Sequence, residues 1–189
     1  MPQPDDRAGT EHGLFYPMDE FYATSGKPLP HVVQVAGAEV PEPYRSLLVH
    51  RRDMTPTLTT AHQRPLQLRI LQRVVTESVL RRLIVLEVEQ TGRPVVFAAI
   101  TIYLDRFAPE PRRLILEGKQ AFGAILHGQA IEHASRPLGF FRVDADSVIC
   151  DALQLAQSLK LFGRTTVMLN HEREPLAHVL EILPPFQLD

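Results

Sequence analysis

The segment Pro175-Leu-Ala-His-Val-Leu-Glu-Ile-Leu-Pro-Pro185 sets a lone carboxylate, Glu181, inside an otherwise apolar run of β-strand character. An ionised carboxylate taken out of water is costly, so this residue must find a partner, keep its proton or serve a functional purpose. A second run, Val79-Leu-Arg-Arg-Leu-Ile-Val-Leu-Glu87, poses the same problem with arginine. An apolar pocket that holds one guanidinium and one carboxylate suits a small organic anion.

A chain of 189 residues fits one domain with an ordinary hydrophobic core. A composition of 44% hydrophobic and 22% charged residues is that of a soluble globular protein rather than a disordered or fibrous one. The net charge of -2 is spread over interspersed signs with no basic stripe, so no nucleic-acid partner is expected. The single cysteine, Cys150, excludes an intrachain disulfide and any multi-cysteine zinc site, and its run Val148-Ile-Cys-Asp-Ala-Leu153 reads as core. His127 and His133 flank Gly-Gln-Ala-Ile-Glu at a spacing that matches no common zinc motif, so no metal is expected. Glycine-rich phosphate loops, nucleophile elbows and HExxH are absent from the sequence. The opening Met1-Pro-Gln-Pro-Asp-Asp-Arg7 lacks the apolar core of a signal peptide, and no run nears the ~18 apolar residues of a membrane span. A cytoplasmic location without membrane contact is therefore expected.

Residues 1–40 are rich in Pro, Gly and Asp and read as an N-terminal arm. Its first dozen residues are expected to be disordered and the rest extended, with Phe15, Tyr16, Phe21 and Tyr22 available to pin it to a domain over 41–189. A short helix is expected around Glu42–Val49 and a turn at Asp53-Met-Thr-Pro56. From Leu66 the period becomes that of strands, with Val79–Gln90 and Val95–Asp105 joined across Thr91-Gly-Arg-Pro94 as an antiparallel hairpin. Pro109–Gly118 and Phe122–His127 read as short helices, and Leu138–Asp144 as a strand. A helix capped by Asp146 or Ser147 is expected to run to Leu161, followed by strands Thr165–Leu169 and Leu176–Leu183 joined around His171–Glu174. Strands dominate without βαβ alternation, so the fold class is α+β, a single antiparallel sheet carrying short helices.

Several segments, taken in order, resemble the chorismate pyruvate-lyase family, the enzymes that make 4-hydroxybenzoate. They are Leu47-Leu-Val-His-Arg-Arg-Asp-Met-Thr55, Leu80-Arg-Arg-Leu-Ile-Val85, Ala121-Phe-Gly-Ala-Ile-Leu126, Leu161-Phe-Gly-Arg-Thr165 and Glu181-Ile-Leu-Pro184. The resemblance covers roughly residues 42–185 and implies a chorismate lyase-like fold. It implies cofactor-free elimination of pyruvate from chorismate, with Arg81 anchoring the ligand carboxylate and Glu181 facing the aromatic hydroxyl. Met54, Phe122 and Gly123 fall at positions that contact the ligand, although Phe122 replaces the family's usual leucine. The stretch between Met54 and Arg81 is shorter than the family's lid segment, which implies a more open site.

An arginine fork suits a carboxylate because it grips both oxygens and stays charged. Alternation places Leu80, Arg82, Ile84 and Leu86 on one strand face and Arg81, Leu83 and Val85 on the other. Both faces are apolar, so parity leaves the two arginines open and the motif alone favours Arg81. Arg69, Arg73 and Arg164 are candidate second anchors. Glu181 also has a plain structural reading, an ion pair with an arginine that staples two strands. The same architecture serves effector-sensing domains of some transcription regulators, so a non-catalytic small-molecule-binding module is the rival function. A lyase acting on a relative of chorismate is a further one.

Overall fold

A computed structural model describes residues 13–186. Among them seven strands form one sheet: β1 (Val32–Val35), β2 (Leu66–Val75), β3 (Val79–Val88), β4 (Pro94–Tyr103), β5 (Ala134–Asp144), β6 (Lys160–Leu169) and β7 (Pro175–Leu183). Their order is β1-β5-β6-β7-β4-β3-β2, and every neighbouring pair is antiparallel. Six helices accompany them: α1 (Met18–Ser25), α2 (Tyr44–Leu48), α3 (Met54–His62), α4 (Pro109–Glu117), α5 (Phe122–Gly128) and α6 (Ser147–Leu153).

The continuous apolar runs of β3, β4 and β7 follow from burial on both faces of the sheet. Leu83, Val85, Phe97, Ala99, Leu180 and Ile182 point to one side and pack with Met18, Phe21 and Tyr22 of α1 and Ile149 and Leu153 of α6. On the other side, Leu86, Val96 and Ala98 pack with α2 and α3. Leu80, Ile100 and Val179 pack there with α4 and α5. Sequence reading stops at "apolar on both faces"; the register assigns each residue a side.

Several expected elements change. Residues 13–40 are not an extended arm but part of the domain, because Met18, Phe21 and Tyr22 recur at helical spacing and bury one face of α1. The Tyr22 hydroxyl donates to Asp146 at 3.0 Å, and β1 pairs with β5 at the sheet edge. Residues 1–12, where disorder is expected, lie outside the described residues. Asp53-Met-Thr-Pro56 opens α3 rather than forming a turn; Pro56 is tolerated because first-turn N–H groups need no helical partner. The helix capped by Asp146 stops at Leu153, where Gln154 turns left-handed (φ 54), so β6 begins five residues earlier than expected. β5 also starts early, its ladder passing Pro137 through a bulge.

One glycine is required by close approach. A methyl group on Gly163 would collide with the Glu181 carbonyl oxygen and the Phe141 ring, so this position lets β6, β7 and Phe141 pack together. Among the described residues no helix is long and apolar enough to cross a membrane.

Candidate small-molecule site

The face opposite α1 and α6 is not completely filled. A narrow cavity of about 60 Å³, open to solvent at its mouth, lies between the sheet and the starts of α3 and α5. Alternate strand positions form its floor: Ile84 and Leu86, then Val96, Ala98 and Ile100, then Val179 and Glu181, then Arg164, Thr166 and Met168, and finally Ser135. The roof is Asp53, Met54 and Thr55 at the start of α3, with Ala121, Phe122 and Gly123 at the start of α5. Met54, Phe122, Gly123, Arg164 and Glu181, which lie far apart in the chain, all line this one space. Arg81 does not.

Arg81 is corrected by parity. Its side chain leaves the sheet on the α1 side, where Nε lies 2.6 Å from Glu20 Oε2 and the residue remains 36% exposed. Arg82 takes the cavity side. It is 1% exposed, and its Nε and Nη1 have no hydrogen-bond partner among the described residues. It sits opposite Ile100 and two residues from Ile84, both of which line the cavity, while Arg82 itself lies just outside that lining. Its Nη1 lies near Gly118, left-handed (φ 70) at the end of α4. Burial, reinforced by the like charge of Arg73, pushes the Arg82 guanidinium down to about 10. The signal in the sequence was the parity itself, which needed a partner for Arg81 on α1 to be decided.

Arg164, expected as a second ligand anchor, is already engaged. Its Nε donates to Glu181 Oε2 at 2.7 Å, Nη1 donates to the carbonyls of Leu48 and His50 at 3.2 Å, and Nη2 donates to that of Arg52 at 3.2 Å. The two residues face each other across β6 and β7, so the strand staple is the form the pair takes. No described residue donates to Glu181 Oε1. Arg164 therefore tethers the α2–α3 connection to the cavity floor. Beside it, burial and then the Arg164 charge lower the His50 pKa; its Nε2 donates to the Leu47 carbonyl (2.8 Å) and its Nδ1 accepts from the Arg52 N–H (3.1 Å). The expected anchors Arg69 and Arg73 are used elsewhere, by Glu87 and by the Leu116 carbonyl.

A second polar group at the roof was not anticipated. Asp53 Oδ1 accepts from the Ser135 hydroxyl at 2.5 Å, and Oδ2 accepts from His133 Nε2 at 2.7 Å. His133 Nδ1 faces the Ile131 carbonyl at 2.9 Å. Both ring nitrogens thus meet acceptors, which only the imidazolium satisfies as a double donor. The Asp53 hydrogen bond, opposed by burial, raises the His133 pKa. Burial alone would raise Asp53, but hydrogen bonds from His133 and Ser135 outweigh it and hold the carboxyl below 3.8. The sign follows from linkage. His133 contributes stability fully below 6.5 and loses it as pH rises through its raised value, whereas Asp53 loses its share only as pH falls below 3.8. Melting temperature is expected to fall between pH 6 and pH 9 in the wild type and to fall less in His133→Gln. Equal pH slopes for the two proteins would remove the charged pair from the account.

No protein-family model matches the chain, and no curated protein matches its sequence. Solved structures do. The effector domain of PhnF from Mycobacterium smegmatis matches at 11% identity and a TM-score of 0.54, covering 72% of this chain and 91% of that one. PhnF from the same organism matches at 12% and 0.52, covering 91% and 95%. YydK, a possible transcriptional regulator from Bacillus subtilis, matches at 8% and 0.51, covering 66% and 60%. At these identities the likeness is one of fold, the chorismate lyase-like α+β fold with a single antiparallel sheet.

Proposed function

We propose that this chain is a binding module for a small ring carboxylate, aromatic or pre-aromatic, held in the cavity between the sheet and the starts of α3 and α5. The observation that carries the reading is Arg82. A guanidinium buried on the cavity face of the sheet, one strand position beyond the lining, with two nitrogens unpartnered among the described residues and only another arginine acting on it, is a charge in want of an anion. The aliphatic floor suits the faces of a ring, and Glu181 Oε1 offers an acceptor to a ring hydroxyl. The likeness to the effector domain of PhnF supports a sensing role for a module of this fold.

The lyase reading keeps one specific support: the segments that resemble the chorismate pyruvate-lyase family converge on one cavity through Met54, Phe122, Gly123, Arg164 and Glu181. In that reading Arg82 rather than Arg81 anchors the ring carboxylate, and Glu181 sits at the ring hydroxyl during loss of the enolpyruvyl side chain as pyruvate.

Calorimetry with 4-hydroxybenzoate and a coupled pyruvate assay on chorismate separate the two. Saturable binding without pyruvate release is expected. Pyruvate release that depends on Arg82 and Glu181 makes the chain a lyase instead, and failure of every ring carboxylate to bind overturns both readings.

A further inference from the structure

We propose that the ligand carries two hydrogen-bond donors on adjacent ring positions, a catechol-type acid rather than a monohydroxy acid, and that Thr166 reads the second donor. The proposal rests on the ring-carboxylate reading above and narrows it.

The sheet floor carries a diagonal of side-chain oxygens. Ser135 lies opposite Met168, Thr166 opposite Val179, and Arg164 opposite Glu181, so Ser135, Thr166 and Glu181 are successive diagonal neighbours across β5, β6 and β7. All three line the cavity. Diagonal neighbours on one sheet face are close enough for adjacent groups of one ring to reach both.

Their hydrogen-bond capacity is unbalanced in one direction. Ser135 spends its proton on Asp53, leaving its lone pairs as acceptors. Glu181 Oε1 receives nothing from the described residues, since Arg164 donates to Oε2. Thr166 is 3% exposed and its hydroxyl has no partner among the described residues. Asp53 is already paired with His133 and Ser135, and the Arg164 donors are largely taken by Glu181 Oε2 and backbone carbonyls. The unused capacity of this wall is therefore Glu181 Oε1, the Ser135 lone pairs and the Thr166 hydroxyl. Glu181 Oε1 and Ser135 can only accept, and Thr166 can accept as well as donate, so a ligand that brings protons satisfies all three.

The remaining walls limit where those protons sit. Ile84, Leu86, Val96, Ala98 and Ile100 offer no acceptor, so a polyol with hydroxyls all round would leave several unpaired. A flat ring with its carboxylate toward Arg82 and two donors along one edge satisfies both the aliphatic wall and the oxygen diagonal. Glu181 takes the first donor, and Thr166 takes the second.

The test is calorimetry on the full chain with 4-hydroxybenzoate, 3,4-dihydroxybenzoate and 4-hydroxy-3-methoxybenzoate. The dihydroxy acid is expected to bind about tenfold tighter than 4-hydroxybenzoate, the worth of one well-made buried hydrogen bond. The methoxy compound, with an acceptor in place of the donor, is expected to gain nothing. Thr166→Val should bring the ratio of dihydroxy to monohydroxy affinity to about one, whereas Thr166→Ser keeps it. Thr166→Val should also raise the melting temperature of the ligand-free protein, because it removes a buried hydroxyl without a partner. Equal affinities for the first two acids in the wild type, or an unchanged ratio in Thr166→Val, overturns the proposal and leaves ring-acid binding intact. Failure of all three acids to bind removes that reading and this proposal together.

Discussion

Arg82→Leu is expected to lower affinity for a ring carboxylate by about a hundredfold or more, the loss of a bidentate charge-assisted pair, while making the ligand-free protein more stable. Opposite signs on binding and stability are the mark of a charge kept for a partner outside the chain. The stability gain follows from the shift already described. A guanidinium lowered from its ordinary value to about 10 carries a burial cost on the order of 3 kcal/mol, and at 1% exposure water does little to screen it. A base whose folded pKa lies below its unfolded one is penalised in full below the folded value, so at neutral pH the whole cost is present. It fades only as pH rises above about 10. Leucine removes the charge and keeps much of the apolar volume, the kind of exchange that is often neutral or stabilising. The neighbouring Arg81→Leu supplies the contrast: its partly exposed pair with Glu20 is worth less than about 1 kcal/mol, and it lies on the opposite face of the sheet from the cavity. Paired calorimetry and thermal melts decide the matter. Wild-type affinity in Arg82→Leu would show that the anion sits elsewhere.

Arg164→Ala is expected to be the most damaging single change, costing about 3–5 kcal/mol. One truncation would strand the Glu181 carboxylate and withdraw the donor from the carbonyls of Leu48, His50 and Arg52, all around a side chain that is 1% exposed. Adding Glu181→Leu should recover part of the loss, since the stranded carboxylate is then gone, but not the part owed to the carbonyls. Urea denaturation of wild type, both single variants and the double variant closes that cycle. A loss below 1 kcal/mol in Arg164→Ala would mean that the α2–α3 connection is held by other contacts.

The fold was legible where one physical signal dominated. The hairpin of β3 and β4, the glycine-ended helix α4 and the final strand β7 announce themselves by β-rich runs and turn residues. α1 was hidden because prolines and glycines around it outweighed three well-spaced apolar residues. α3 was hidden because Pro56 reads as a breaker until the first turn is recognised as free of N–H partners. Part of the candidate site was legible for a different reason: Met54, Phe122 and Glu181 stood out through the order of short segments. Asp53, His133, Ser135 and Thr166 carried no such mark. They meet only through cross-strand register and the placement of two helix starts, and neither is a local property of the chain.

Consecutive arginines on β3 make the reading of related chains a matter of phase. Two sequences can match letter for letter through Leu-Arg-Arg and still present different guanidiniums to the ligand if a bulge or a single-residue insertion precedes them. In this chain the odd-numbered arginine belongs to the outer helix and the even-numbered one to the interior. Comparison within this architecture therefore needs to count pleats before it counts identities.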